Sequence, residues 1–240
     1  MNHRFIKNFV WYYGLRPLPR SISYVISGIL YPLVFLFLII IFSAGKYIDY
    51  AVIGGFISIV AMNAIYSGTD ATIYRLQMKI QDLFVATPIT SFDYMIAICL
   101  SYLSMSLPGI AVYSIIGLYL GIFNAVNASI FVFLLIATLL GAMAISFTIF
   151  GFINRARSIW GISQIVSLLL AVLPPIFYPY FLLPKALLYA FMISPVTEVA
   201  MLSQGLFGLA PIKFYAIPIL IIETIIYLFI GTKLIRWMEK

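Results

Sequence analysis

Residues 94–154 form a run of 61 positions without one charged side chain. A helix crosses the hydrocarbon layer of a bilayer with about 20 apolar residues, so this run is too long for one span and must turn back on itself. Its interior supplies the turn: Gly121-Ile122-Phe123-Asn124-Ala125-Val126-Asn127-Ala128 is polar and rich in turn formers. The pattern predicts one helix over about 94–120 and another over about 128–152.

Residues 21–45 and 50–69 are likewise free of charge, 25 and 20 positions long, and each predicts one spanning helix. A fifth span starts after Arg157 and meets Pro174-Pro175; a sixth covers about 214–232. Composition agrees, with 64% hydrophobic residues, 9% charged residues and a mean hydropathy of +1.13, where soluble domains carry about 25% charge. These values exclude a soluble enzyme, a disordered chain, a collagen-like chain and a disulfide scaffold. The single cysteine, Cys99, lies in an apolar run. It permits no intrachain disulfide and no Cys/His zinc site, and reads as a small buried hydrophobe. Met1 to Arg20 lacks the apolar core of a cleavable signal peptide. The expected fold is all-α and polytopic: a cytoplasmic helix and linker over 1–20, then one six-span domain over 21–240.

Orientation follows from Lys and Arg. With both termini inside, Arg4, Lys7, Arg16, Arg20, Arg75, Lys79, Arg155, Arg157, Lys233, Arg236 and Lys240 fall on the cytoplasmic side. Lys46, Lys185 and Lys213 fall outside. That asymmetry is the positive-inside pattern, and it accounts for the net charge of +7 without nucleic acid as a partner. Trp11, Trp160 and Trp237 then mark the inner boundary, and Tyr47, Tyr50, Tyr119, Tyr178, Tyr180 and Tyr215 the outer one, as aromatic belts do. The expected location is the plasma membrane.

Residues 174–211 are too apolar for a water-exposed loop and are broken by Pro174, Pro175, Pro179, Pro184, Pro195 and Pro211. A seventh span would move the basic C-terminus to the wrong side. The pattern predicts two short helices instead, about 185–193 and 196–207, dipping into the outer leaflet and returning. Non-helical backbone at that depth survives only where protein or a wet cavity satisfies it. The segment is therefore either a hydrophobic cap or an outer gate, with Pro175, Pro179, Pro195 and Glu198 as the gate residues.

Two cytoplasmic segments are amphipathic. Ile6, Phe9, Val10 and Tyr13 make one helical stripe, with Arg4, Lys7 and Asn8 off it; Gly14 and Arg16-Pro17-Leu18-Pro19-Arg20 end the helix. It is expected to lie in the inner headgroup layer, as an anchor or as a coupling aid. Ile73, Leu76, Ile80 and Leu83 form a second stripe, backed by Arg75, Lys79 and Asp82, over a helix of about 73–86 that Thr87-Pro88 stops. It is a docking element for a soluble partner or else a lipid-facing connector. Thr90-Ser91-Phe92-Asp93 has the form of a capping box for the next span.

Tyr74-Arg75-Leu76-Gln77-Met78-Lys79-Ile80-Gln81-Asp82-Leu83-Phe84-Val85-Ala86-Thr87-Pro88-Ile89-Thr90 resembles the cytoplasmic signature of type 2 ATP-binding-cassette (ABC) export permeases. That signature is a charged helix, a leucine-rich turn, Ala-Thr-Pro, then a small polar residue before the third span. Pro175-Ile176-Phe177-Tyr178-Pro179 through Leu183-Pro184, then Ile193-Ser194-Pro195-Val196-Thr197-Glu198, is similar to the family's outer segment, with Ser194 where the family has Asn. Arg155-Ala156-Arg157-Ser158 stands at the family's short basic loop. Order and spacing over almost the whole chain carry the resemblance. It implies a transport subunit that works as two permeases, most simply a homodimer, with two separate ATPase subunits that bind ATP and Mg. Arg75, Leu76, Lys79, Ile80, Asp82 and Leu83 would carry the coupling. The implied cargo is hydrophobic or amphipathic: a drug, a lipid or a lipid-linked glycan. The coupling segment has fewer charges than is usual in the family, which leaves the identity of the ATPase open.

The chain itself holds no GxxxxGK[ST] phosphate loop, so any ATP hydrolysis belongs to a partner and no cofactor is expected here. Gly161-Ile162-Ser163 has no histidine base to serve it, since His3 is the one histidine and lies in the N-terminal arm. Asp70 stands alone at a span boundary. A channel or an assembly scaffold would share this hydropathy, and ATPase co-purification separates those readings. Glu223, midway along the last span, is costly by about 3 kcal/mol on insertion scales. It either contacts substrate or couples the outer segment to the bundle, or it is protonated or hydrogen-bonded to a nearby Ser, Thr or Tyr.

Overall fold

The computed structural model describes residues 2–20, 22–154 and 156–234. All regular structure among them is helical. In chain order the α-helices are α1 (His3–Phe9), α2 (Ile22–Ser43), α3 (Ile48–Leu76), α4 (Ile80–Val85), α5 (Ser91–Tyr119) and α6 (Ala125–Gly151). They are followed by α7 (Ile159–Ala171), α8 (Lys185–Phe191), α9 (Pro195–Leu206) and α10 (Ala216–Leu234). A π-helical turn, Val10–Leu15, continues α1.

Helices α3, α5, α6 and α10 are long and apolar enough to cross a membrane; the 29 residues of α3 and α5 reach about 43 Å each. Helices α8 and α9 are bent by 118° and make a fifth crossing only if counted as one. Gly28–Ser43 of α2 and Ile159–Ala171 are apolar but shorter. Among the described residues there are thus four full-length apolar helices, two shorter ones and a bent pair.

Helix α3 is the axis of the molecule, with 83% of its most apolar window buried, whereas the corresponding figure for α10 is 11%. The sequence explains this. Ala51, Gly54, Gly55, Ser58, Ala61, Ala64, Ser67, Gly68 and Ala71 recur every three or four residues, so helices can approach α3 closely from several sides. It packs on α2, α5, α6, α7 and α9. A Cβ on Gly68 would stand on the Ser146 hydroxyl of α6, and one on Gly54 on the Ile176 carbonyl. Buried hydroxyls then cross the seams: Ser146 donates to the Ile65 carbonyl at 2.6 Å and Thr72 to the Phe150 carbonyl at 3.2 Å. Thr69 and Ser163 pair at 2.8 Å, and Thr148 donates to the Tyr227 carbonyl at 2.8 Å. Such bonds contribute about 0.6 kcal/mol each within membranes.

Local chemistry sets the helix ends. Thr90 and Asp93 form both bonds of the capping box that opens α5. Gly121 takes φ 68, a left-handed turn that suits glycine. Helix α6 begins at Ala125, earlier than the expected 128, because the Asn124 side chain accepts from the Asn127 N–H at 2.8 Å and caps it.

Helix α7 stops at Ala171, ahead of Pro174-Pro175, which lack backbone donors. Buried residues of the irregular stretch 172–179 are then satisfied from within the protein. Gln204 of α9, 1% exposed, donates from Nε2 to the Pro175 carbonyl at 2.6 Å and the Tyr178 carbonyl at 3.0 Å. Its Oε1 accepts from the Tyr180 N–H at 3.1 Å. Ser194 donates to the Leu170 carbonyl at 2.9 Å, near the end of α7. Tyr180 and Tyr50 donate to the Pro211 and Leu209 carbonyls, tying 174–211 to α3.

Candidate functional site

Three groups of residues carry chemistry or an accessible surface. The first is the end of the bundle that holds α1, α4 and the close of α3. The sequence predicts one continuous helix over 73–86, and the structure corrects this. Ile73 and Leu76 belong to α3, the chain breaks over residues 77–79, and α4 resumes at Ile80. Lys79 adopts φ 53, a left-handed conformation that no helix interior accommodates. Ile73 stays in α3 because it is buried there, at 5% exposure. The stripe Ile73, Leu76, Ile80, Leu83 is therefore split between two helices.

Arg75, named above as a docking charge, turns inward. Its guanidinium donates to the Ile153 carbonyl at 2.7 Å and the Leu234 carbonyl at 3.4 Å, holding the ends of α6 and α10 against α3. Cationic donors suit helix C-termini, where the last carbonyls lack partners. Lys79 and Leu83 are exposed, Leu83 by 69% and Met78 by 56%. Leu76 and Ile80 are half-buried. The side chain of Asp82 lies outside the described residues, as do Arg155, Arg236, Trp237 and Lys240.

Helix α4 is pinned by Phe84, whose ring meets Phe5 at 5.3 Å, Phe9 at 5.9 Å and Tyr94 at 5.7 Å. The N-terminal segment is also corrected. It does not end at Gly14: the π-helical turn runs to Leu15, and Gly14 is buried where a Cβ would stand 2.9 Å from Ser101 Cα of α5. Ile6 and Phe9 are buried, and the Asn2 N–H donates to Asp93 at 3.1 Å. The segment is thus seated on α5, with Arg4, Lys7 and Asn8 facing outward. Together α1, α4 and the ends of α3, α5, α6 and α10 form one connected platform.

The second group is a cleft of about 310 Å³ between α2, α3, α5 and α7, lined by Pro32, Met62, Asn63, Tyr66, Tyr102 and Gln164 among others. Pro32 gives Gly28 no intrahelical donor, and Gly28 also faces this cleft. The Gly28 carbonyl lies 3.2 Å from where a Cβ on Gly109 would stand, so α2 and α5 touch backbone to backbone there. Asp70 accepts from the Tyr102 hydroxyl at 2.6 Å and from the Tyr74 hydroxyl at 3.5 Å. Asp70, isolated in the sequence, thus holds the Tyr102 hydroxyl from outside the lining. Amide and phenol groups beside Met and Pro make a surface for amphipathic molecules. Nothing in the sequence marked this cleft, because its lining comes from four separated helices.

The third group is acidic. Glu198, in the first turn of α9, is completely buried, and neither carboxylate oxygen has a hydrogen-bond partner. Glu223 of α10 is half-buried, with Oε2 also unpartnered, so no Ser, Thr or Tyr satisfies that oxygen. Pro175, Pro179 and Pro195, within 174–211, are buried, Pro195 against Gly141 of α6. The four residues expected at an outer gate, Glu198 among them, are thus all buried in the structure. Among the described residues no group of His, Cys, Asp and Glu could hold a metal ion; Ser163 is engaged with Thr69.

The chain matches no family model and no curated protein.

Proposed function

We propose that this chain is the membrane subunit of an ATP-driven ABC-type exporter, moving a hydrophobic or amphipathic substrate under power from a separate ATPase. The observation that carries the reading is the platform. It presents Met78 and Lys79, in the break before α4, and Leu83, on α4, to solvent, and Phe84 locks that short helix to α1 and α5. A partner pushing on α4 would move the ends of α3 and α5 together, since α4 hangs from one and packs on the other. The cleft of about 310 Å³ opens beside those same helices and combines polar with apolar lining, as an amphipathic cargo requires. ATP and Mg would bind the partner.

In this reading α2, α3, α5, α6, α7 and α10 each cross the plasma membrane, α7 being completed by the irregular stretch 172–179. Both termini are cytoplasmic, and the bent pair α8–α9 enters and leaves the outer leaflet. A second permease copy, packed along the exposed faces of α2 and α7, would close the cleft into a path.

The test is co-purification of an ATPase from the native host with tagged protein, followed by ATP-dependent export from proteoliposomes. Lys79→Glu and Leu83→Glu alter exposed side chains only, and both are expected to abolish ATPase recovery while the protein still runs as a single species. Undiminished recovery with both variants, or no ATPase at all with the wild type, overturns the reading.

A further inference from the structure

Between α8 and α10 lies a cavity of about 390 Å³, open to the outside of the bundle and lined by Tyr189, Met192, Ile193, Tyr215, Ile219 and Glu223. Two tyrosine rings form its rim, 63% and 44% exposed at Tyr189 and Tyr215. Glu223 lies on its wall about 12 Å deeper along the helix than Tyr215, at 1.5 Å per residue. Glu223 Oε2 has no hydrogen-bond partner, and both carboxylate oxygens of the buried Glu198, on α9, lack one as well. Tyr227 is already committed, donating to the Ile193 carbonyl at 3.0 Å.

Glu223, halfway along α10, and Glu198, in the buried first turn of α9, are expensive unless neutralised. The surroundings indicate what neutralises them. A carboxylate beneath aromatic faces, with methionine and isoleucine walls, matches an organic cation: charge to charge at the carboxylate, ring faces against the ammonium, and an alkyl chain along the apolar wall. The cavity is far larger than a bare ion needs, and it opens beside α10, which is largely unburied in the bundle. We propose that this cavity binds the ammonium group of a cationic amphiphile, with Glu223 as its counter-ion and Tyr189 and Tyr215 as its aromatic walls. The amine is carried either by a lipid headgroup or by a free alkylamine. The site does not depend on the exporter reading, and its test measures binding alone.

Native mass spectrometry of the purified protein in a non-ionic sugar detergent reads this directly, with dodecylamine as probe and dodecanol as its neutral counterpart. Wild type is expected to hold one dodecylamine in clear preference to dodecanol. Glu223→Gln should bind it about tenfold more weakly, and Tyr215→Leu severalfold more weakly. Phosphatidylethanolamine and phosphatidylglycerol with matched chains then identify the source. An ethanolamine adduct with the same dependence on Glu223 makes the occupant a lipid; dependence shown by dodecylamine alone makes it a free amphiphile. Equal retention of dodecylamine and dodecanol overturns the proposal, as does unchanged dodecylamine binding in Glu223→Gln. Should that variant fail to fold, Tyr215→Leu, altered at an exposed rim position, decides by the same criterion.

Discussion

Replacing Gln204 by Leu removes three hydrogen bonds at once: from Nε2 to the Pro175 and Tyr178 carbonyls, and from the Tyr180 N–H to Oε1. Leu fills the space but leaves three backbone groups of the irregular stretch without partners, in a place that water does not reach. At about 1 kcal/mol of net stability per bond the loss is about 3 kcal/mol, and desolvation of the orphaned groups adds to it. For a chain of this size about 1 kcal/mol moves the melting temperature by about 2–4 °C, so a fall of about 6–12 °C is expected. Cys99 is the one cysteine and is 2% exposed, so a thiol-reactive dye that fluoresces on coupling reports when the bundle opens. Gln204→Glu, which sets a carboxylate oxygen against two carbonyls, should melt lower still. Gln164→Leu, on the exposed cleft wall, is the control and should move by less than about 2 °C. If Gln204→Leu melts within about 2 °C of wild type, the buried side chain is not what holds 172–179 in place.

The same dye assay tests the other structural assignments. Arg75→Gln should destabilise by about 2–3 kcal/mol, because a charged donor to the Ile153 and Leu234 carbonyls is lost; a purely external docking role would leave stability unchanged. Lys79→Gly should raise stability by about 0.5 kcal/mol, since glycine accepts φ 53 without strain, whereas Lys79→Val should lower it by about 1 kcal/mol. Gly14→Val drives a branched side chain into Ser101 and should cost about 2 kcal/mol. Limited trypsin treatment should then cut after Arg20 faster than in wild type. Equal cutting rates would mean that the N-terminal segment does not depend on its seat on α5.

Much of the architecture was legible because it rests on short-range chemistry. Uncharged runs of fixed length can satisfy their backbones in lipid only as helices, so the all-helical class, the turn at Gly121 and the Thr90–Asp93 cap follow from local sequence alone. The prolines of 174–211 likewise indicated two short helices, seen as Lys185–Phe191 and Pro195–Leu206. Periodicity misled at Ile73 to Leu83, where one apolar stripe runs across a backbone break that a lysine in a left-handed conformation imposes. A stripe records which side chains seek burial, and says nothing of whether one helix or two will bury them.

What the tertiary structure decided is which polar groups meet. Arg75 and Leu234 are 159 residues apart, Arg75 and Ile153 are 78 apart, and Gln204 reaches back 29 residues to Pro175. Glu198 and Glu223 stand on different helices, α9 and α10, which packing brings together. In an apolar medium an unpaired polar atom is so unfavourable that its partner dictates its role, and that partner comes from packing. The sequence alone therefore determined that this chain folds as apolar helices. Whether an arginine clamps helix ends or faces a partner, and whether a glutamate is buried in the bundle or lines a cavity, depended on contacts between segments that no local pattern encodes.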